Sequence, residues 1–266
     1  MHLRKYIEIA KIYIKAQLVW KVDVIFNMIF TVTKILFAYL LWGTIFGSRA
    51  EVAGFTFYSM LSYYIISAFL NQLDMSSLIS KEISTRIRNG TFSKYMILPV
   101  SIQKYFIAME AGVVAFYLAF DFIAAIVWVF IFQIKFVFTT DLGTIVCAVL
   151  MILLGLLFMA QLNYYLGLLT LKYQEIGTFL MIKNNIIAFV TGSIVPLVLL
   201  PDVFVLIMRL FPFYYVTYLP SMLLIGRYQN ERVIGLIVIS MWCIFFQILI
   251  QVTWGKYRRK YDGVGI

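Results

Sequence analysis

The stretch 142-LGTIVCAVLMILLGLLFMAQLNYYLGLLTL-171 runs for 30 residues without one charged side chain. As a helix rising about 1.5 Å per residue it would reach about 45 Å, more than the ~30 Å hydrocarbon core of a bilayer. Such a segment reads as a membrane span, and the rest of the chain has the composition to match. Of 266 residues, 63% are hydrophobic and 13% charged, with a mean hydropathy of +0.95; soluble domains lie near half apolar and a quarter charged. The expected fold class is all-α, a polytopic membrane protein whose single transmembrane domain occupies 1–266.

Outward from 142–171, apolar runs place the other spans at 22–46, 55–79, 105–138, 176–200 and 233–254, six in all. Ahead of them Arg4, Glu8, Lys11 and Lys15 recur on one helical face, with Leu3, Ile7, Ala10, Ile14 and Leu18 on another. Residues 2–20 therefore read as an amphipathic helix lying in the membrane interface. Residues 81–98 form the one long hydrophilic interruption in the first half. Across this stretch Ile79, Ile83, Ile87 and Phe92 recur at near-helical spacing, Gly90 is placed as a helix C-cap, and Pro99 starts the turn into the next span. A short amphipathic helix across the cytoplasmic face is expected there, as a docking element. Residues 201–231 are apolar and aromatic but broken by Pro201, Pro212 and Pro220, too many prolines for one helix. They read as an outer helical hairpin, interfacial or re-entrant.

With the N-terminus inside, the inner segments hold 15 lysines and arginines and the outer segments 5, namely Arg49, Lys135, Arg209, Arg227 and Arg232. Both termini are thus expected in the cytoplasm. The formal net charge of +10 is a topology signal concentrated at span ends, not the footprint of a nucleic-acid partner. Cys147 and Cys243 both lie in apolar runs, which argues against a disulfide framework or a thiolate metal site. The one histidine, His2, leaves no basis for histidine acid–base or metal chemistry. No Gly-x-x-x-x-Gly-Lys-Ser/Thr loop occurs, so ATP-driven work must come from another subunit. No catalytic residue, metal ligand or bound cofactor is assigned.

Polar chemistry is confined to a few positions. Ser59, Tyr63, Ser67, Asn71 and Asp74 step along one slowly rotating face of the second span, and Asn184 or Asn185, Ala188, and Thr191 or Gly192 do so in the fifth. In lipid such stripes serve either as glue between helices or as the lining of a route. Lys34 and Asp121 are isolated charges deep in spans 1 and 3; they either form an intramembrane ion pair, or Lys34 snorkels and each lines separate polar space.

The run 83-ISTRIRNGTFSKYMILPVS-101 resembles the intracellular loop of permeases of the type-2 ABC exporter family, where a charged helix precedes Gly-Thr, a hydrophobic run and Pro-Val. Leu210-Phe-Pro-Phe213, Tyr218-Leu-Pro220 and Gly226 resemble the outer hairpin before the last span in small bacterial six-span members. The resemblance covers essentially the whole chain. It implies a plasma-membrane permease that pairs with a second permease, the same or similar, and with cytoplasmic ABC ATPase subunits carrying ATP and Mg. It assigns 81–98 as the coupling element, with Lys81, Glu82, Arg86, Arg88, Gly90 and Pro99 its key residues, and directs spans 2 and 5 to the pathway. The hairpin residues Pro212, Phe213, Tyr218 and Pro220 become an outer gate. Its aromatics favour an amphipathic or hydrophobic cargo, although aromatics also settle at membrane interfaces. A gradient-driven secondary transporter or channel is the rival reading. It would need no ATPase partner and would usually show inverted repeats, which this sequence lacks.

Overall fold

In the computed structural model the described residues are 2–19, 21–131, 133, 135–190, 197 and 200–261. Side chains are described for these except at 2, 3, 21–25, 27, 28, 31, 32, 34, 121, 124, 125, 127–129, 131, 202 and 260. The element order is α1 (His2–Gln17), α2 (Lys21–Phe46), α3 (Phe57–Leu73), α4 (Ser77–Arg88), α5 (Ser93–Met96), α6 (Ile102–Ile131), α7 (Leu142–Leu168), α8 (Thr170–Tyr173), α9 (Gly177–Val190) and α10 (Asp202–Met208). A π-helical turn (Tyr214–Tyr218), α11 (Leu219–Leu224), a 3-10 turn (Gln229–Glu231), α12 (Arg232–Tyr257) and a second 3-10 turn (Arg258–Lys260) complete it. Among the described residues, β structure is limited to an isolated bridge between Val52 and Phe55. Three described helices are long and apolar enough to cross a membrane, over Ile102–Phe120, Leu142–Tyr173 and Gln229–Tyr257; shorter apolar helices cover Ile35–Phe46 and Gly177–Val190. The chain is an all-α polytopic membrane protein.

The uncharged run 142–171 becomes α7, the helix around which the rest is arranged. Its start is fixed by Asp141, whose carboxylate accepts the Thr144 N–H at 3.0 Å and the Thr144 hydroxyl at 2.5 Å. Arg232 at the start of α12 donates to the same oxygen at 2.8 Å. These contacts hold the Asp141 carboxyl below its usual range, the Thr144 hydroxyl being the largest cause. Lower down, Gln161 of α7 and Gln103 of α6 both donate to Gln247 of α12, at 3.1 and 2.7 Å. Side-chain amides in apolar helices need partners, and here they join three of them. Small residues allow close approach elsewhere. A Cβ added at Gly112 of α6 would lie 2.3 Å from the Ala10 carbonyl oxygen of α1, so α1 is seated on α6 backbone to backbone.

The stretch expected as one span over 55–79 is broken. α3 starts at the cap Thr56, whose hydroxyl accepts the Ser59 N–H at 3.3 Å, and stops at Leu73 because Asp74 folds back: its Oδ1 accepts both the N–H (3.1 Å) and the hydroxyl of Ser76. Ile79 consequently belongs to α4. The 201–231 hairpin is helical but not superficial. Phe213, Tyr214, Tyr215 and Thr217 to Ile225 are buried against α7 and α3, with Val216 standing 3.2 Å from where a Gly155 Cβ would be.

Candidate functional site

Four elements surround a cavity of about 840 Å³. The walls come from Ile35, Ala38 and Leu41 of α2, Tyr63, Ser67, Ala68 and Asn71 of α3, and Leu180, Asn184, Ile187 and Ala188 of α9. Asp74, Lys81 and Lys183 bring its charged groups together at the α4 end, with Ser77 and Ser80 beside them.

That end is wired by hydrogen bonds. Lys183 Nζ donates to Asn163 Oδ1 at 2.9 Å, and the Ser80 hydroxyl reaches the same oxygen at 3.3 Å. Asn163 Nδ2 donates to Ser76 Oγ at 2.6 Å and to the Met159 carbonyl at 3.0 Å. The Ser76 hydroxyl in turn donates to Asp74. Asn163 is fully buried and Lys183 is 8% exposed. An ammonium out of water is costly unless it is hydrogen-bonded, and α7 supplies the acceptor through Asn163. A chain of polar contacts therefore runs from a cation on α9 to a carboxylate at the end of α3.

α4 forms the floor and also faces outward. Ile79, Ile83 and Ile87 are all buried, and Ile83 packs where Gly167 of α7 has no side chain; an added Cβ would lie 2.9 Å from Ile83 Cβ. Phe92 closes the same apolar cluster. The helix ends at Gly90, with φ +68°: Thr91 N–H bonds to the Arg86 carbonyl at 2.9 Å and Gly90 N–H to that of Ile87 at 3.1 Å, the Schellman arrangement, which needs a left-handed residue and suits glycine. Ser77, Ser80 and Lys81 meet the cavity, while Lys81, Thr85, Arg88 and Asn89 form an exposed stripe.

The residues expected to couple divide accordingly. Glu82 and Arg86 pair with each other at 2.8 Å, one turn apart. That hydrogen bond and the Glu82 charge raise the Arg86 pKa. Tyr95 donates to the same Glu82 oxygen at 3.3 Å, and its phenol is pushed up to about 12 by burial first and the Glu82 charge second. Arg88 reaches across to Glu175 at 2.9 Å, just before α9. Pro99 is exposed, its carbonyl 3.5 Å from Lys5 Nζ of α1.

Tyr63, Ser67, Asn71, Asp74 and Asn184 share the cavity lining; Ser59 is drawn into the α3 cap and Asn185 does not line it. Ser67 lines the space and also donates to Ser221 of α11 at 3.0 Å. Pro212, Phe213, Tyr218 and Pro220 lie in the protein interior, with Tyr218 edge-on to Tyr63 at 5.8 Å. Thr191 and the side chains of Lys34 and Asp121 lie outside the described residues. Sequence reasoning missed Lys183, Asn163, Ser76 and Ser80 as site residues. The signal for Lys183 was present, since a lone lysine in an apolar helix invites the scrutiny given to Lys34. Glu110 of α6 also went unweighed; it is 5% exposed, and its Oε1 has no hydrogen-bond partner among the described residues. Among the described residues no group of His, Cys, Asp or Glu could hold a metal ion.

The family described as ABC-2 family transporter protein matches residues 29–265. The chain belongs to the ABC-2 transporter family. ABC-2 permeases are membrane transport components, not themselves catalytic, and generally work with ABC ATPases. A comparison with curated proteins and one with solved structures returned no match. The ABC-2 match covers the later part of α2 and every element from α3 to α12, the cavity and its floor included.

Proposed function

We propose that the chain is the permease half of an ATP-driven exporter, taking an amphipathic or hydrophobic cargo into the cavity between α2, α3, α4 and α9. One observation carries this reading: α4 is at once the floor of the cavity, through Ser77, Ser80 and Lys81, and an exposed surface, through Lys81, Thr85, Arg88 and Asn89. A cytoplasmic ATPase pressing on that surface displaces the cavity floor with it. The apolar walls and charged end suit a cargo with one polar terminus. ATP binding and hydrolysis, with Mg, take place on the partner. Closure of the ATPase subunits shifts the permease between inward-open and outward-open populations. A second permease subunit, identical or similar, completes the pathway in the plasma membrane, both termini cytoplasmic.

The test is affinity capture of the tagged protein from mild detergent, with partner identification and an ATPase assay on the complex. Wild type is expected to bring down a soluble P-loop ATPase whose cargo-stimulated turnover falls in T85E/R88E. A stable, folded protein that captures no ATPase and moves cargo on an ion gradient would overturn the proposal.

A further inference from the structure

A second cavity, of about 780 Å³, lies between the loop leading into α6 and the last turns of α12, away from the proposed cargo space. Lys104, Arg258 and Arg259 border it, with Trp254 and Gln251 beside them, and no acidic residue lines it. Among the described residues none of these three cations is in an ion pair. Lys104 sits at the start of the span Ile102–Phe120, and Arg258 follows the end of Gln229–Tyr257, so the basic ring stands at the lipid–water boundary. Gln247 and Gln251 also line a shallower furrow of about 290 Å³, which continues along α12 past Ile248, Ile244 and Cys243. Ile244 and Ile248 are 62% and 57% exposed there.

A carboxylate-free ring of cations at the interface, continuous with an apolar furrow running into the membrane, has the two-part chemistry of one phospholipid. We infer that this surface binds an anionic phospholipid, its phosphate among Lys104, Arg258 and Arg259 and an acyl chain along α12. Basic pockets between membrane helices hold such headgroups by charge, and guanidinium forks match phosphate oxygens. A zwitterionic lipid would bring its ammonium into a ring with no acid to receive it. A free anion would use the basic end and leave the furrow to bulk lipid. By the distribution of Lys and Arg this end is cytoplasmic.

The experiment is native mass spectrometry of the full chain in detergent with phosphatidylglycerol, phosphatidylcholine of the same chains, or chainless glycerol phosphate as separate probes. Wild type is expected to retain phosphatidylglycerol over phosphatidylcholine and to ignore glycerol phosphate. R258Q/R259Q should bind phosphatidylglycerol about 30-fold more weakly, taking about five-fold per cation, and K104Q about five-fold more weakly. K256Q removes an exposed cation on the same turn that does not line the cavity and should leave binding unchanged. Equal retention of the two lipids, competition by glycerol phosphate, or an equal loss in K256Q would each overturn the assignment. A change of oligomeric mass in R258Q/R259Q would give the surface to a second copy and overturn it too.

Discussion

Gly167→Ala probes whether α4 and α7 move as one body. The new Cβ would stand 2.9 Å from Ile83 Cβ, 3.1 Å from Cγ2 and 3.3 Å from Cδ1. Carbon atoms settle at about 3.5–4.0 Å, so α4 must retreat by roughly 0.6–1 Å. No rotamer change relieves the shortest contact, because Cβ is fixed by the α4 backbone. Overpacking of this kind costs about 1–3 kcal/mol, against which alanine gains about 1 kcal/mol over glycine in a helix interior. The net expectation is a loss of about 0–2 kcal/mol, with the ATPase-to-transport ratio rising as the cavity floor is displaced. In an Ile83→Gly background all three contacts vanish, the fixed Cβ included, and Gly167→Ala should cost clearly less. Thermal unfolding in detergent for the four members of the cycle, with cargo-stimulated ATPase turnover of the reconstituted complex, supplies both readouts. If Gly167→Ala raised the unfolding midpoint equally in both backgrounds, the close packing of Ile83 on Gly167 would be refuted.

Replacing Lys183 by Met removes the donor that Asn163 accepts at 2.9 Å, a charged hydrogen bond of about 1.5–3 kcal/mol. The unfolding midpoint should change little, because a buried ammonium is costly in itself, while cargo stimulation of the ATPase falls at least about ten-fold by the same figure. A Ser67→Ala, Ser221→Ala cycle should show a coupling of about 1 kcal/mol across α3 and α11; additive losses would show that the serines do not bond. Asp141 has a depressed carboxyl pKa, so its stabilising effect is present above the ordinary carboxylate value and lost as pH falls through the folded one. Asp141→Asn should lower the unfolding midpoint at neutral pH and flatten the acid limb of the midpoint-against-pH curve, and an unchanged curve would contradict the contacts to Thr144 and Arg232.

Features set by composition and helical period were legible from the sequence. The uncharged run 142–171 announced α7, and the spacing of Ile79, Ile83 and Ile87 with Gly90 after them announced α4 and its cap. What escaped was where polar side chains override hydropathy. Asp74 reads as one more step on the face of Tyr63 and Ser67, yet its short carboxylate competes for the backbone and ends α3 there. Tyr63, Ser67, Asn71 and Asp74, which line the cavity, were found by period alone, but Asn163 and Ser80 meet Lys183 only through packing of α7, α4 and α9, which no single helix reveals. The buried hairpin tyrosines likewise look like interface aromatics until α7 is laid against them.

The single carboxylate of Glu175 joins two jobs: one oxygen accepts the Gly177 N–H at 2.7 Å and sets the start of α9, while the other takes Arg88 at 2.9 Å. α4 is thereby yoked to one side of the chamber through the Asp74 turn and to another side through this ion. The two linkages differ in kind. The first is peptide backbone, indifferent to the medium; the second is an exposed ion pair, with side chains 43% and 66% accessible, weak and screened by salt. Raising ionic strength should therefore slacken only the α9 rein, so that the chamber's two sides, driven in step at low salt, lose their synchrony before the chain loses any of its fold.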